Sequence, residues 1–152
     1  FIYQIRELQN GGEFVVLLFL AAWGNDTLAY CTGMLIGKHK MSPILSPKKS
    51  IEGLVGGIVG AAILGALYGL YLNTYIRFSF NPVTMFPIVC GLGGAVSVIG
   101  DLAASAIKRD SGIKDYGTLI PGHGGILDRF DSIIFIAPVI YYLTVMISGG
   151  AI

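Results

Sequence analysis

Four aspartates stand in or at the edge of apolar runs: Asp26, Asp101, Asp128 and Asp131. A carboxylate placed well inside such a run costs at least about 2.5–3.5 kcal/mol on insertion scales and needs a partner. Asp128 and Asp131 have a spacing that puts both on one helix face, and Asp101 follows Gly100 near the end of another apolar run. Basic residues surround them. Lys38, Lys40, Lys48 and Lys49 lie in one polar stretch, and Lys108, Arg109, Lys114 and Arg129 in or beside a second, leaving only Arg6 and Arg77 elsewhere. Carboxylates converging on a basic, phosphate-attracting surface point to a hard divalent cation, since Mg²⁺ takes one or two protein carboxylates together with phosphate oxygens and water. Zinc does not suit a chain whose histidines are His39 and His123 and whose cysteines, Cys31 and Cys90, fall in apolar runs as small buried thiols.

The same residues admit plainer roles. Asp128 and Asp131 would complement the dipole at a helix start, and Asp26 and Asp101 would form ion pairs with Lys or Arg; neither role excludes a metal. The basic stretches attract lipid headgroups and nucleotide phosphates alike, or serve only to orient the chain in a membrane. The run PGHGG at 121–125 reads equally as a turn bringing backbone amides to a phosphate or as a connection between two helices. Ser105 stands one turn from Asp101 on the same helix face, its hydroxyl available to a metal or a phosphate. No Ser, His and acid set for acyl transfer is evident.

Membrane helices must position these groups. Of 152 residues, 54% are hydrophobic and 12% charged, about half the charged share of a soluble domain. Runs of the roughly 20 apolar residues needed to cross a bilayer core cover 14–36, 51–72, 82–106 and 130–147. The expected fold is all-α, a polytopic integral membrane helical bundle of four to five transmembrane helices. The fifth arises if the third run, which holds Pro87, Gly91, Gly93, Gly94 and Gly100, breaks near its middle. In the second run Gly53, Gly57 and Gly60, Gly56 and Gly60, and Gly65 and Gly69 recur at spacings that suit close helix packing.

Two spans separate the polar stretches 37–50 and 107–129, which places both on one side of the membrane; the positive-inside rule makes that side cytoplasmic. A net charge of +1 gives no sign of a nucleic-acid partner. No soluble domain, repeat or low-complexity linker is visible, so 1–152 is expected to be one membrane-embedded catalytic region. It opens at Phe1 with neither a basic leader nor a cleavage site. The expectation is a fragment lacking N-terminal transmembrane helices, and with them part of a lipid pocket.

From Ser105 to Asp131 the chain reads SAIKRDSGIKDYGTLIPGHGGILDRFD. This resembles the signature of the phosphatidate cytidylyltransferase (CDP-diacylglycerol synthase) family, in its C-terminal catalytic portion. That pattern is a Ser, a Lys-Arg pair, Lys-Asp, a Gly, a Pro-x-His-Gly-Gly turn and a closing Asp-Arg-x-Asp. Ser105, Lys108, Arg109, Lys114, Asp115, Gly117, Pro121, His123, Gly124, Gly125, Asp128, Arg129 and Asp131 match it. A second block is similar too: Trp23 through Tyr30, then Gly33, Gly37, Lys38, His39 and Lys40, then SPKKSIEG closing at Gly53. Ser50 keeps the hydroxyl of the family's Thr, Ile51 replaces an aromatic residue, and Asn25 and Leu28 stand where small residues are usual. The resemblance covers roughly 14–147.

The resemblance implies a reaction in which the phosphate of phosphatidic acid attacks the α-phosphorus of CTP, giving CDP-diacylglycerol and pyrophosphate. Such transfers depend on positioning and charge neutralisation, and the nucleophile is already an anion. By this likeness the catalytic group is Asp101, Asp128, Lys108 and Arg109. Asp101 and Asp128 contact Mg²⁺, in one or two metal sites, while Asp131 and Asp26 complete or orient the acidic shell. Lys108, Arg109, Lys114 and Arg129 hold the triphosphate and lipid phosphate, Lys48 and Lys49 close over the other side, and Ser105 and His123 reach phosphate. The implied partners are CTP, phosphatidic acid and membrane lipids, in a homodimer of the bacterial inner membrane with its site facing the cytoplasm. A CTP-dependent lipid kinase, or a cytidylyltransferase for another lipid phosphate, shares most of these features. A transporter fits glycine-rich broken helices and an intramembrane Asp26, but not the order of residues in the loop.

Overall fold

The chain is helical from its second residue. In the computed structural model, which describes residues 1–42, 46–113 and 127–148 (46–48 and 127–129 by their backbone alone), α1 (Ile2–Glu7) is followed by α2 (Gly11–Phe19). A π-helical turn (Leu20–Gly24) carries α2 without interruption into α3 (Asn25–Ile36). An antiparallel hairpin comes next, β1 (Lys40–Ser42) and β2 (Ser46–Ser50), pairing Lys40 with Ser50 and Ser42 with Ser46. Three long helices complete the bundle: α4 (Ile51–Tyr75), α5 (Pro82–Asp110) and α6 (Leu127–Ile147).

Short polar side chains start two of the long helices and a glycine stops one. Ser50 caps α4, its Oγ accepting the Gly53 N–H at 3.1 Å. Asn81 caps α5, accepting the Val83 N–H at 3.0 Å, with Pro82 in the first helical position, where its missing N–H has no helical partner to lose. Beyond α5, Gly112 adopts φ 69°. Its N–H bonds the Arg109 carbonyl at 3.1 Å, while the Ile113 N–H reaches back to the Lys108 carbonyl at 2.9 Å, the paired bonds of a glycine-terminated helix. Lys108 and Arg109 therefore occupy the last turn, where cations oppose the negative end of the helix dipole.

Among the described residues four helices are long and apolar enough to cross a membrane: Gly11–Ile36, Ile51–Tyr75, Pro82–Asp110 and Phe130–Ile147. The number agrees with the lower of the two expectations. The third run does not break, because Pro87 lies in the second turn of α5, and the helix continues for 29 residues. At 1.5 Å per residue it is about 43 Å long, more than a hydrocarbon core of about 30 Å. The stretch 37–50, read only as a polar loop, contains the hairpin.

Helix α4 packs against α3 around Gly53 and Gly57 and against α5 around Gly65 and Gly69. Its buried stripe is Gly53, Gly57, Ala61, Gly65 and Gly69. A Cβ at Gly53 would stand 2.7 Å from the Ala29 carbonyl oxygen, and one at Gly65 2.6 Å from that of Phe86. The glycine spacing thus serves backbone-to-backbone packing. On the far side of α5, Ile133, Ile136, Ala137 and Ile140 of α6 are buried. At the end of the bundle remote from the hairpin, Phe86 lies among Phe14, Tyr68, Phe78 and Phe80 with ring centroids 5.7–6.2 Å away, and the Tyr68 hydroxyl donates to the Glu13 carboxylate.

Candidate active site

The hairpin covers a cavity of about 530 Å³ between α3, α4 and α5. Its polar lining is Asn25, Asp26, Lys40, Lys49, Ser50 and Asp101; Ala29, Tyr30, Met34, Met41, Leu54 and Val98 supply the apolar part. On α3 the lining positions 26, 29, 30, 33 and 34 follow the helical repeat, so a single face of that helix serves the cavity. Ser50 has two tasks: as the cap of α4 it fixes the end of β2, and the preceding residue, Lys49, is thereby held over α5. The same end of the hairpin is clasped on the β1 side by Glu52. Its two carboxylate oxygens accept the His39 backbone N–H at 3.2 Å, and Oε1 lies 2.6 Å from His39 Nδ1.

Asp101 is the hub. Lys49 Nζ donates to its Oδ2 at 2.6 Å, a short charge-assisted bond, and the buried Ser132 of α6 donates its hydroxyl to Oδ1. The Ser132 backbone N–H in turn donates to Asp131 Oδ1 at 2.8 Å, and Asp131 Oδ2 lies 3.8 Å from Lys108 Nζ. A chain of alternating function results: cation, carboxylate, hydroxyl, carboxylate, cation, contributed by β2, α5, α6, α6 and α5. Asp26 enters the same cavity from α3, with Asn25 Nδ2 3.5 Å from its Oδ1.

Of the residues expected at the site, Asp26, Lys49 and Asp101 line the cavity, and Asp131 and Lys108 join Asp101 through Ser132. Ser105 lies one turn beyond Asp101 on α5 and is half-buried; Arg109 is exposed at the helix end. Lys114 and His123 lie outside the described residues, as do the side chains of Lys48, Asp128 and Arg129. The ion pair considered for Asp101 is present, with Lys49 as its partner.

Three parts of this arrangement escape sequence reasoning: the Ser132 bridge, the His39–Glu52 clasp and the burial of Asn25. A serine beside an aspartate carries no signal of its own, whereas an asparagine inside an apolar run was visible as an oddity. The ligating atoms on the polar lining are carboxylate oxygens, from Asp26 and Asp101, with Asp131 behind Ser132. That chemistry fits Mg²⁺. Among the described residues no three acidic, histidine or cysteine side chains gather closely enough to enclose an ion by themselves.

A family model described as the Cytidylyltransferase family matches residues 1–147. The phosphatidate cytidylyltransferase of Staphylococcus saprophyticus is 37% identical over 147 residues, covering 97% of this chain and 55% of the relative. That of Staphylococcus aureus strain COL is 39% identical over 145 residues, covering 95% of this chain and 53% of the relative. The chain thus spans about half the length of the curated relatives it matches. With the family match running across α1 to α6 and through every element that carries Asp26, Lys49, Asp101, Lys108 and Asp131, the chain belongs to the cytidylyltransferase family.

Proposed function

We propose that this protein is a CTP:phosphatidate cytidylyltransferase, making CDP-diacylglycerol and pyrophosphate for phospholipid synthesis. The observation that carries the reading is the linked set Lys49, Asp101, Ser132, Asp131 and Lys108 beside a largely apolar cavity. Its cations suit phosphate, its carboxylates suit a metal, and the apolar wall suits acyl chains. The names of the staphylococcal relatives add support.

A phosphate oxygen of the lipid forms a bond to the α-phosphorus of CTP, and the bond from that phosphorus to the bridging oxygen breaks, with pyrophosphate leaving as the anion. Mg²⁺, when bound, neutralises charge on the triphosphate; Asp101 and Asp128 would hold it, with Asp131 and Asp26 completing or orienting the set. Lys49 and Lys108 compensate the phosphate charge from opposite ends of the linked chain. Lys48, Ser105, Arg109, Lys114, His123 and Arg129 are assigned to further phosphate contacts. The concentration of basic residues at the hairpin end supports a site on the cytoplasmic side, and the staphylococcal relatives support a bacterial membrane. The family likeness supports a homodimer.

The test is conversion of radiolabelled CTP by the purified full-length protein in phosphatidate-containing vesicles, with Mg²⁺ withheld and restored. CDP-diacylglycerol and pyrophosphate should form only with the metal. Release of CDP with a phosphorylated lipid would instead establish a kinase, and absence of any product would overturn the reading.

A further inference from the structure

Among the described residues two buried side-chain polar atoms have no hydrogen-bond partner, Asn25 Oδ1 and Ser97 Oγ. Asn25 is 0% exposed inside a membrane-spanning helix, where polar side chains are costly and usually functional. It directly follows the π-helical turn, a geometry that recurs at functional sites. Its amide occupies a slot left by two glycines. A Cβ at Gly57 of α4 would stand 2.7 Å from Asn25 Oδ1, and one at Gly94 of α5 would stand 3.1 Å from the same atom. Backbone on both sides therefore fixes the amide plane. Its nitrogen faces the carboxylate of Asp26, 3.5 Å from Oδ1.

A residue kept for packing alone would not bring an orphan carbonyl into such a slot, because an apolar side chain fills space without leaving an acceptor unpaired. The orphan is tolerated if the other half of the amide has a task. We propose that Asn25 is a positioning residue, clamped between the glycine faces of α4 and α5 so that its N–H group holds the Asp26 carboxylate on the cavity wall it shares with Asp101. The assignment rests on the cytidylyltransferase reading only for the use made of Asp26; the clamp itself stands on packing. Groups that orient metal-binding carboxylates in this way typically contribute 10–100-fold to metal affinity.

The test is a double-mutant cycle in the full-length protein with Asn25→Ala, Asp26→Asn and the pair. It is read by Mn²⁺ binding in electron paramagnetic resonance, by kcat/KM for CTP and by melting temperature. Mn²⁺ reports on an oxygen-lined site of this kind. Asn25→Ala should weaken Mn²⁺ binding about tenfold while melting close to the parent protein, and should cost nothing further once Asp26 is Asn. Equal losses in both backgrounds would show a general packing role and overturn the proposal, as would unchanged Mn²⁺ binding in Asn25→Ala. Should alanine leave the slot too empty to fold, Asn25→Leu, with the same number of heavy atoms and no donor, enters the same cycle. Absence of CTP turnover in the parent protein would sink the enzymatic reading alone, since the Mn²⁺ cycle still decides what Asn25 does. A parent that binds no Mn²⁺ overturns the positioning role.

Discussion

The two ends of the bundle are held by different forces. Remote from the hairpin, α4 and α5 meet backbone to backbone at Gly65 and Gly69, and the rings of Phe14, Tyr68, Phe78 and Phe80 surround Phe86. Little there depends on charge except the Tyr68–Glu13 hydrogen bond. At the hairpin end α3 and α4 still meet backbone to backbone at Gly53, but a cavity opens between them and α5, and the links beside it are polar: Lys49 to Asp101, Asp101 to Ser132, Ser132 to Asp131. Close packing fills one end and leaves it chemically inert. The other adds a cavity and groups that can exchange partners, so changes at the two ends should separate activity from stability.

The largest effect is expected at the hub. Asp101→Asn keeps shape and an acceptor for Ser132 but removes the charge that Lys49 pairs with and that the proposed metal would need. Turnover should fall about 10²–10³-fold, the scale of losing one preorganised charge-stabilising group, with the melting temperature little changed; wild-type turnover in this variant would remove Asp101 from the chemistry. Next is the inert end. Gly65→Val places a Cβ 2.6 Å from the Phe86 carbonyl oxygen, and a backbone atom on a buried helix cannot swing away. We expect a loss of about 3 kcal/mol, seen as reduced folded yield and a lower melting temperature, with any folded fraction retaining its turnover per molecule.

How much of this was legible in the sequence follows from what each residue type must do in lipid. Asp26, Asp101 and Asp131 declared themselves, because a carboxylate in an apolar run always needs an explanation. The glycines of α4 did so through their spacing. Ser132 did not, because a hydroxyl in a membrane helix usually bonds its own backbone, as Thr144 does to the Ile140 carbonyl at 2.8 Å. The hairpin was hidden for another reason: its strands have three and five residues and are held by the His39–Glu52 clasp, a tertiary contact. Pro87 misled because its position within the helix matters more than its presence. In the second turn of α5 it forfeits one bond near an end instead of breaking the middle.

A smaller change at the inert end isolates the Tyr68–Glu13 hydrogen bond. Tyr68→Phe leaves the Glu13 carboxylate without its donor and should cost about 2 kcal/mol in denaturant or thermal unfolding. Turnover per folded molecule should stay the same, and a fall in turnover at unchanged stability would mean that the two ends are coupled.

The smallest effect is the most informative about the cavity, because it tests the two opposed roles proposed for Lys49 there. While it donates to Asp101 Oδ2 it competes with any metal for that carboxylate; once a triphosphate arrives, the same ammonium can turn to phosphate. Lys49→Gln removes the competition and the phosphate contact together. The apparent affinity for Mg²⁺ should therefore tighten, while the KM for CTP rises about tenfold, equivalent to about 1.4 kcal/mol. Mg²⁺ titrations at saturating CTP and CTP titrations at saturating Mg²⁺ separate the two. If Lys49 only shields Asp101, KM for CTP will not move. If it only binds phosphate, metal affinity will stay level; both shifts together would mean that the lysine passes from carboxylate to nucleotide as the site fills.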